Sequence, residues 1–214
     1  MHINQHNWFY KVLDIPAIPT ELEQSLWQLF ASPSLEQHRF THEHYYNNTR
    51  PELAHKPGPG EAVGIRNGKT FANCRGARYG VNQQMVNWVN ENITKDYVDT
   101  GIYVINGDVA DTVLPHTDQT RNFSLLYLLE PGGDSTHTDF WQETGEGIHR
   151  EMKTFSGDYS RNNLLLSVQW PLRTWILLNT NILHSVEELS RKRLQYQVSL
   201  DVIPNVPVKL TKEI

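Results

Sequence analysis

The sequence predicts a mainly β fold with flanking α-helices, and three observations carry that expectation. Helical periodicity is confined to the first hundred of its 214 residues. From about Gly101 the chain breaks into short apolar or alternating runs separated by turn residues, the pattern of a sandwich or barrel. Apolar residues make up 38% and charged residues 20%, a balance that supplies one packed core and argues against disorder.

The first helix is expected from Thr20. Pro19 precedes it, Thr20 and Glu23 have capping-box spacing, and Leu22, Leu26, Leu29 and Phe30 then share one face until Pro33 stops the run. A second helix is expected over Asn82–Asn92, with Met85, Val86, Val89 and Ile93 inward. Between them, Lys56 to Gly80 holds Pro57-Gly58-Pro59-Gly60 and then Gly64, Gly68 and Gly76, which reads as loops and short irregular strands. The β runs are Gly101–Asn106, Val109–Leu114, Phe123–Leu129, Thr136–Trp141, Leu164–Trp170, Trp175–Leu178 and Leu194–Val202. With no repeat and no linker, the expected organisation is a single domain over 1–214. Residues 1–100 form its helical and loop part, and residues 101–203 form a β core with the helices packed on one sheet.

Charge and cysteine usage narrow the function classes. The formal net charge of −5 disfavours a general nucleic-acid binder, which needs a basic face for phosphates. Cys74 is the one cysteine, so no intrachain disulfide forms, as expected of a reducing cytoplasm. Met1 to Tyr10 has no signal-type apolar stretch, and runs such as Leu125 to Leu129 are too short to span a bilayer. Asn47-Asn48-Thr49 matches a glycosylation acceptor and, without a secretion signal, reads as chance.

The informative segment is Pro115-His116-Thr117-Asp118. In extended chain, residues i and i+2 point the same way, so His116 and Asp118 can reach one cation. Two imidazoles and a carboxylate on one face suit Fe(II) and leave positions open for other ligands. A lone His-X-Asp is weak evidence, and the chain has a second copy, His137-Thr138-Asp139. The first copy has the stronger context. It is followed by Arg121, the buried-looking strand Phe123 to Leu129 and the turn Glu130-Pro131-Gly132-Gly133. His184 then stands 68 positions after His116, and Arg193 nine positions after His184.

This order of residues resembles the 2-oxoglutarate/Fe(II)-dependent dioxygenase superfamily, in its prolyl-hydroxylase-like branch, over about Gly101 to Asp201. Tyr103 to Gly107 loosely matches the strand that precedes the ligand pair there, and Leu125 to Gly133 matches the strand and Gly-Gly turn that follow it. The resemblance implies a double-stranded β-helix (jelly roll) core, with His116, Asp118 and His184 as iron ligands and catalytic centre. It implies that Arg193 grips the distal carboxylate of 2-oxoglutarate, which a guanidinium fork suits. Gln195 stands where many relatives place a hydroxyl for the same carboxylate; its amide can also donate. Tyr103, Tyr127 and Leu128 are expected in the co-substrate pocket, although whether Leu126 and Leu128 or Leu125 and Tyr127 face it is open. Arg191 is the rival to Arg193. The implied cofactors are Fe(II) and 2-oxoglutarate, with ascorbate as an optional reductant. The implied reaction is hydroxylation coupled to decarboxylation of 2-oxoglutarate to succinate and CO₂. The substrate stays open among a free amino acid, a peptidyl side chain and a small metabolite, with nucleic acid least favoured. Oligomeric state is open.

Other features read more plainly. His137, Asp139 and Trp141 share one strand face and are expected to be structural or to line a substrate mouth. His42 and His44 read as a polar loop, His149 as exposed, and Cys74 as an idle or buried thiol. Gly68-Lys69-Thr70 lacks the earlier glycine of a phosphate loop. Substrate contacts are expected from the loops 56–79 and 134–159. Two rival classes remain: a cupin-like metal-binding jelly roll with hydrolase or isomerase chemistry, and a non-catalytic binding module. Arg193 speaks against the first and the complete ligand set against the second.

Overall fold

The computed structural model describes residues 6–40, 63–66, 69–72, 74, 76–118, 121–142, 148, 149, 154, 155 and 163–214. His42, His44, Asn47, Gly58 and Gly60 lie outside them, as do parts of both expected substrate loops. Fifteen strands and two α-helices are described, with a short 3₁₀ turn at Leu35–His38. The strands are β1 (Trp8–Leu13), β2 (Val63–Arg66), β3 (Lys69–Ala72), β4 (Gly76–Tyr79), β5 (Asp99–Asn106), β6 (Val113–His116), β7 (Phe123–Pro131) and β8 (His137–Gln142). They continue with β9 (Ile148–His149), β10 (Thr154–Phe155), β11 (Asn163–Val168), β12 (Trp175–Asn179), β13 (Leu183–Glu187), β14 (Lys192–Leu200) and β15 (Val208–Glu213). The helices are α1 (Thr20–Ala31) and α2 (Gln83–Asn92).

The strands form two larger antiparallel sheets and the hairpin β2–β3. A seven-stranded sheet runs β15-β1-β12-β7-β14-β5-β4, and a six-stranded sheet runs β11-β8-β13-β6-β10-β9. Between β5 and β8, and again between β12 and β14, successive strands alternate between the two sheets. The fold is therefore mainly β with two helices and antiparallel sheets, as the turn-punctuated runs predict.

Period-2 alternation gives each face of the seven-stranded sheet its own chemistry. On one face Leu125, Tyr127, Trp175, Leu177, Leu194, Tyr196 and Val198 pack with Leu26 of α1 and with Met85 and Val89 of α2. The opposite face carries Leu126, Leu128, Ile176 and Leu178. These pack with Phe140 of the six-stranded sheet, and with Phe9 and Trp170. One face therefore carries the helices, and the other is turned toward the six-stranded sheet.

The expected elements recur with physical corrections. α1 begins at Thr20, but its N-cap is Pro19 and no side chain caps it. Glu23 does not close a capping box; its carboxylate meets the Arg173 guanidinium at 2.7 Å. In α2, Asn82 is the cap, its side chain accepting from the Met85 N–H at 2.9 Å. Val86 is only half-buried. Trp88 takes the inward place beside Met85 and Val89, stacking on Trp175 at 5.7 Å. The run Val109–Leu114 is a strand only from Val113; residues 107–109 turn, leaving Val109 84% exposed. β1 and β15 were not expected as strands at all, yet they pair with each other and extend the seven-stranded sheet through β12. β13, the strand of His184, was likewise missing from the expected set. Among the described residues no helix is long and apolar enough to cross a membrane.

Candidate metal centre

His116 is the last residue of β6, and His184 lies directly opposite it on β13. Residues facing each other across an antiparallel pair point to the same side, so the two rings meet, with centroids 4.5 Å apart. His184 also pairs with Phe140, which packs between the sheets, so both rings point into the inter-sheet space. Asp118 follows β6 by two residues. Its backbone N–H binds the Thr180 carbonyl at 3.1 Å, which ties this segment to the turn before β13.

The donor atoms are prepared by their surroundings. His116 Nδ1 lies 2.8 Å from the Leu114 carbonyl, and His184 Nδ1 lies 2.8 Å from the Ile182 carbonyl. A carbonyl only accepts, so each ring carries its proton on Nδ1 and leaves the Nε2 lone pair free. Burial, with the neighbouring His116 ring second, holds His184 down to about 4, so its imidazole is neutral at neutral pH. For Asp118, burial pushes the carboxyl up, but Arg121 and the two imidazoles outweigh it and leave the group below its ordinary range. One ligand atom from each of His116, Asp118 and His184 lies within 4.8 Å of the others, the one such group among the described residues. Two imidazoles and a carboxylate fit a divalent first-row metal such as Fe(II).

The second copy repeats the local device and not the site. His137 Nδ1 is 2.8 Å from the Ser135 carbonyl, and its Nε2 is 3.5 Å from Asp139. β8 pairs Phe140 with His184, so His137 and Asp139 point to the opposite face of the six-stranded sheet. They are beside Ser185 and the buried Glu187. His149 falls in β9, of which only the backbone is described.

The expected pocket residues divide by strand face. Tyr103 pairs with Gln195, and Gln195 pairs with Leu128, so the three form one row across β5, β14 and β7 on the inter-sheet face. Arg193 is the next inward residue of β14, 2% exposed, donating from Nε to Gln195 Oε1 at 3.2 Å. Tyr127 lies on the other face of the sheet: it packs in the helix-side core, 4.8 Å from the Trp175 ring. The register puts Leu126 and Leu128 on the inter-sheet face and Leu125 and Tyr127 on the helix side. Arg191 is exposed and paired with Glu130 at 2.9 Å and Asp134 at 3.2 Å. The Gly-Gly turn sets this arrangement: Gly132 sits at φ +90°, and its carbonyl accepts from the Ser190 and Arg191 N–H groups. A Cβ at Gly132 would meet Arg193 Cβ at 2.9 Å. Tyr103 lies over Gly76, where a Cβ would be only 2.3 Å from the ring. Burial raises its phenol pKa, and Asp118 and Arg121 are near enough to act on it.

Arg193 differs from Arg78 and Arg121. Burial alone acts on it, pulling its pKa down to about 10. Arg78 is bonded to Asp99, and Arg121 to Asp118.

Sequence reasoning missed a polar network on this face. Arg78 donates to Ser199 at 2.8 Å and Gln197 at 2.5 Å, and Gln197 donates to Ser124. The signal was present in β14, where Arg193, Gln195, Gln197 and Ser199 alternate with apolar residues on a strand buried on both faces. Buried polar side chains at alternate positions require partners or a ligand.

No protein-family model matches the chain, and no curated protein does. Among solved structures, an oxidoreductase of the 2OG-Fe(II) oxygenase family from Burkholderia pseudomallei is a structural neighbour. It aligns over 87% of this chain and 96% of that chain, at 10% identity and a TM-score of 0.38. A likeness at that level decides neither fold nor activity.

Proposed function

We propose that this chain is an Fe(II)- and 2-oxoglutarate-dependent dioxygenase that hydroxylates a small metabolite, a free amino acid or a peptidyl side chain in the cytoplasm. The core is read as a double-stranded β-helix of the prolyl-hydroxylase-like type. The alternation of successive strands between two antiparallel sheets supports that reading. The observation that carries the function is the pairing of two features on the inter-sheet face. One is the convergent His116, Asp118 and His184. The other is the buried guanidinium of Arg193, whose pKa is shifted by burial with no acidic group among the described residues acting on it.

His116, Asp118 and His184 would hold the iron. The chemistry supplied by bound iron and 2-oxoglutarate is oxidative decarboxylation to succinate and CO₂, coupled to hydroxylation of a substrate C–H bond. The protein binds and orients. A buried cation without a counter-ion is costly, and a carboxylate delivered by the co-substrate relieves that cost. Arg193 would take that carboxylate as a fork, and Gln195 is held against Arg193 Nε. Leu128, in the same row, supplies an apolar wall, and Tyr103 supplies a neutral hydroxyl near Asp118. The apolar set Leu126, Phe140 and Ile176 keeps water from this side of the space. A hydrolytic zinc site of cupin type would leave Arg193 without an anion.

An anaerobic titration of Fe(II) into the protein with 2-oxoglutarate tests the reading. The chelate is expected to give a weak visible charge-transfer band, lost in His116→Ala, Asp118→Ala and His184→Ala. Absence of the band in a folded wild-type protein that binds Fe(II) overturns it.

A further inference from the structure

We propose that Arg121 is a positioning residue for the metal-binding carboxylate: it occupies Asp118 Oδ2 and leaves Oδ1 for the ion, and Ser199 holds it in that place. The inference rests on the metal-site reading above and adds a residue to it.

Arg121 Nε donates to Asp118 Oδ2 at 2.7 Å, while Asp118 Oδ1 faces His116 Nε2 at 3.8 Å. The two carboxylate oxygens are thus in different environments before any metal arrives. A carboxylate free to rotate can chelate through both oxygens and take one more coordination position. With Oδ2 engaged by a guanidinium, the carboxylate presents one oxygen, and the open positions stay open.

Arg121 is itself held from a second direction. Its Nη1 donates to Ser199 Oγ at 3.1 Å. Ser199 is fully buried near the end of β14, and the same oxygen accepts from Arg78 Nη1 at 2.8 Å. Arg78 is fixed in turn by Asp99 and by Gln197. The backbone of the segment is fastened as well, since the Arg121 carbonyl accepts from Thr180 Oγ1 at 3.2 Å and the Asn122 N–H binds the Leu200 carbonyl at 3.0 Å. The fork of one guanidinium thereby joins the ligand loop after β6 to the seven-stranded sheet. A lysine ammonium, a point charge without that planar fork, cannot span both partners in the same way.

Co(II) serves as the probe, because its visible bands report coordination number and its affinity is read by competition with a chelator. Arg121→Gln is expected to weaken Co(II) binding by about 10–100-fold and to shift the visible bands. Ser199→Ala should move both in the same direction by less, with the urea midpoint of the metal-free protein as a control on folding. Wild-type affinity and spectrum in folded Arg121→Gln overturn the proposal. If Arg121→Gln does not fold, Ser199→Ala decides alone: an unchanged affinity and spectrum overturn it, and a weakened, shifted site supports it. A wild-type chain that binds Co(II) no better than His184→Ala removes the metal-site reading and this inference with it. Indifference of the variants in a chain that does bind removes the inference only.

Discussion

At the scale of single residues, burial bends the ionisation of His184 and Arg193 away from its ordinary range. Arg193 is the clearest case, because burial pulls its pKa down and no carboxylate among the described residues offsets the cost. Replacing it by Met removes the charge and keeps the bulk. The apparent 2-oxoglutarate affinity is expected to fall by about 10–100-fold, the worth of a hydrogen-bonded charge. Arg191→Ala should leave that affinity unchanged, since its guanidinium is exposed and already paired with Glu130. Comparing 2-oxoglutarate titrations of the two variants checks this, and the reverse ranking refutes the assignment. His184 makes a pH prediction. In the unfolded chain it takes a proton near 6.5, and in the fold only near about 4. Between those values the unfolded state binds more protons, so this residue's contribution is present above pH 6.5 and is lost as pH falls toward 4. Urea midpoints of the metal-free wild type minus those of His184→Gln should shrink across that window; a flat difference contradicts the burial argument.

At the scale of elements, the two helices differ in how they begin. Asn82 caps α2 through its side chain, while α1 starts with Thr20 making no cap contact. Asn82→Ala should therefore cost about 1 kcal/mol and Thr20→Ala close to nothing, read from urea midpoints. Equal losses would show that the Thr20 hydroxyl contributes after all. Thr20 and Glu23 have the spacing for a capping box, but Glu23 is drawn to Arg173, 150 residues away, and no local pattern reports such a partner. The strands show the same division. β7 and β12 were legible because apolar and aromatic residues dominate them and turn residues bound them. β15 was not, because it is the edge strand, mostly exposed and of mixed polar sequence; β1, Trp-Phe-Tyr-Lys-Val-Leu, carried an aromatic strand signal that sequence reasoning missed. β13 was masked by its composition: Leu-His-Ser-Val-Glu reads as polar, yet all five residues are buried.

At the scale of the whole molecule, the seven-stranded sheet separates stability from chemistry by face. Trp175 belongs to the helix side, 1% exposed, stacked on Trp88 and with its indole N–H on the Pro16 carbonyl at 2.9 Å. Trp175→Ala should cost about 3–5 kcal/mol, measured by denaturant unfolding, because the void it leaves is in the layer that joins helices to sheet. Co(II) affinity of the folded fraction should stay near wild type, because the candidate ligands His116 and His184 lie on the inter-sheet side. A large loss of affinity would mean that the two faces are mechanically coupled.

The sequence by itself determined the β-rich class, the two helices and the candidates His116, Asp118, His184 and Arg193. The elements rest on local period and turn residues, and the four candidates on their order along the chain and the family resemblance it carries. Tertiary structure decided what depends on register. It turned Tyr127 to the helix side and Leu128 inward, sent His137 and Asp139 to the opposite face of their sheet, and set Arg121 between Asp118 and Ser199. The reason is geometric: a strand's alternation says which residues share a side, but only the strands paired beside it say which side faces the site.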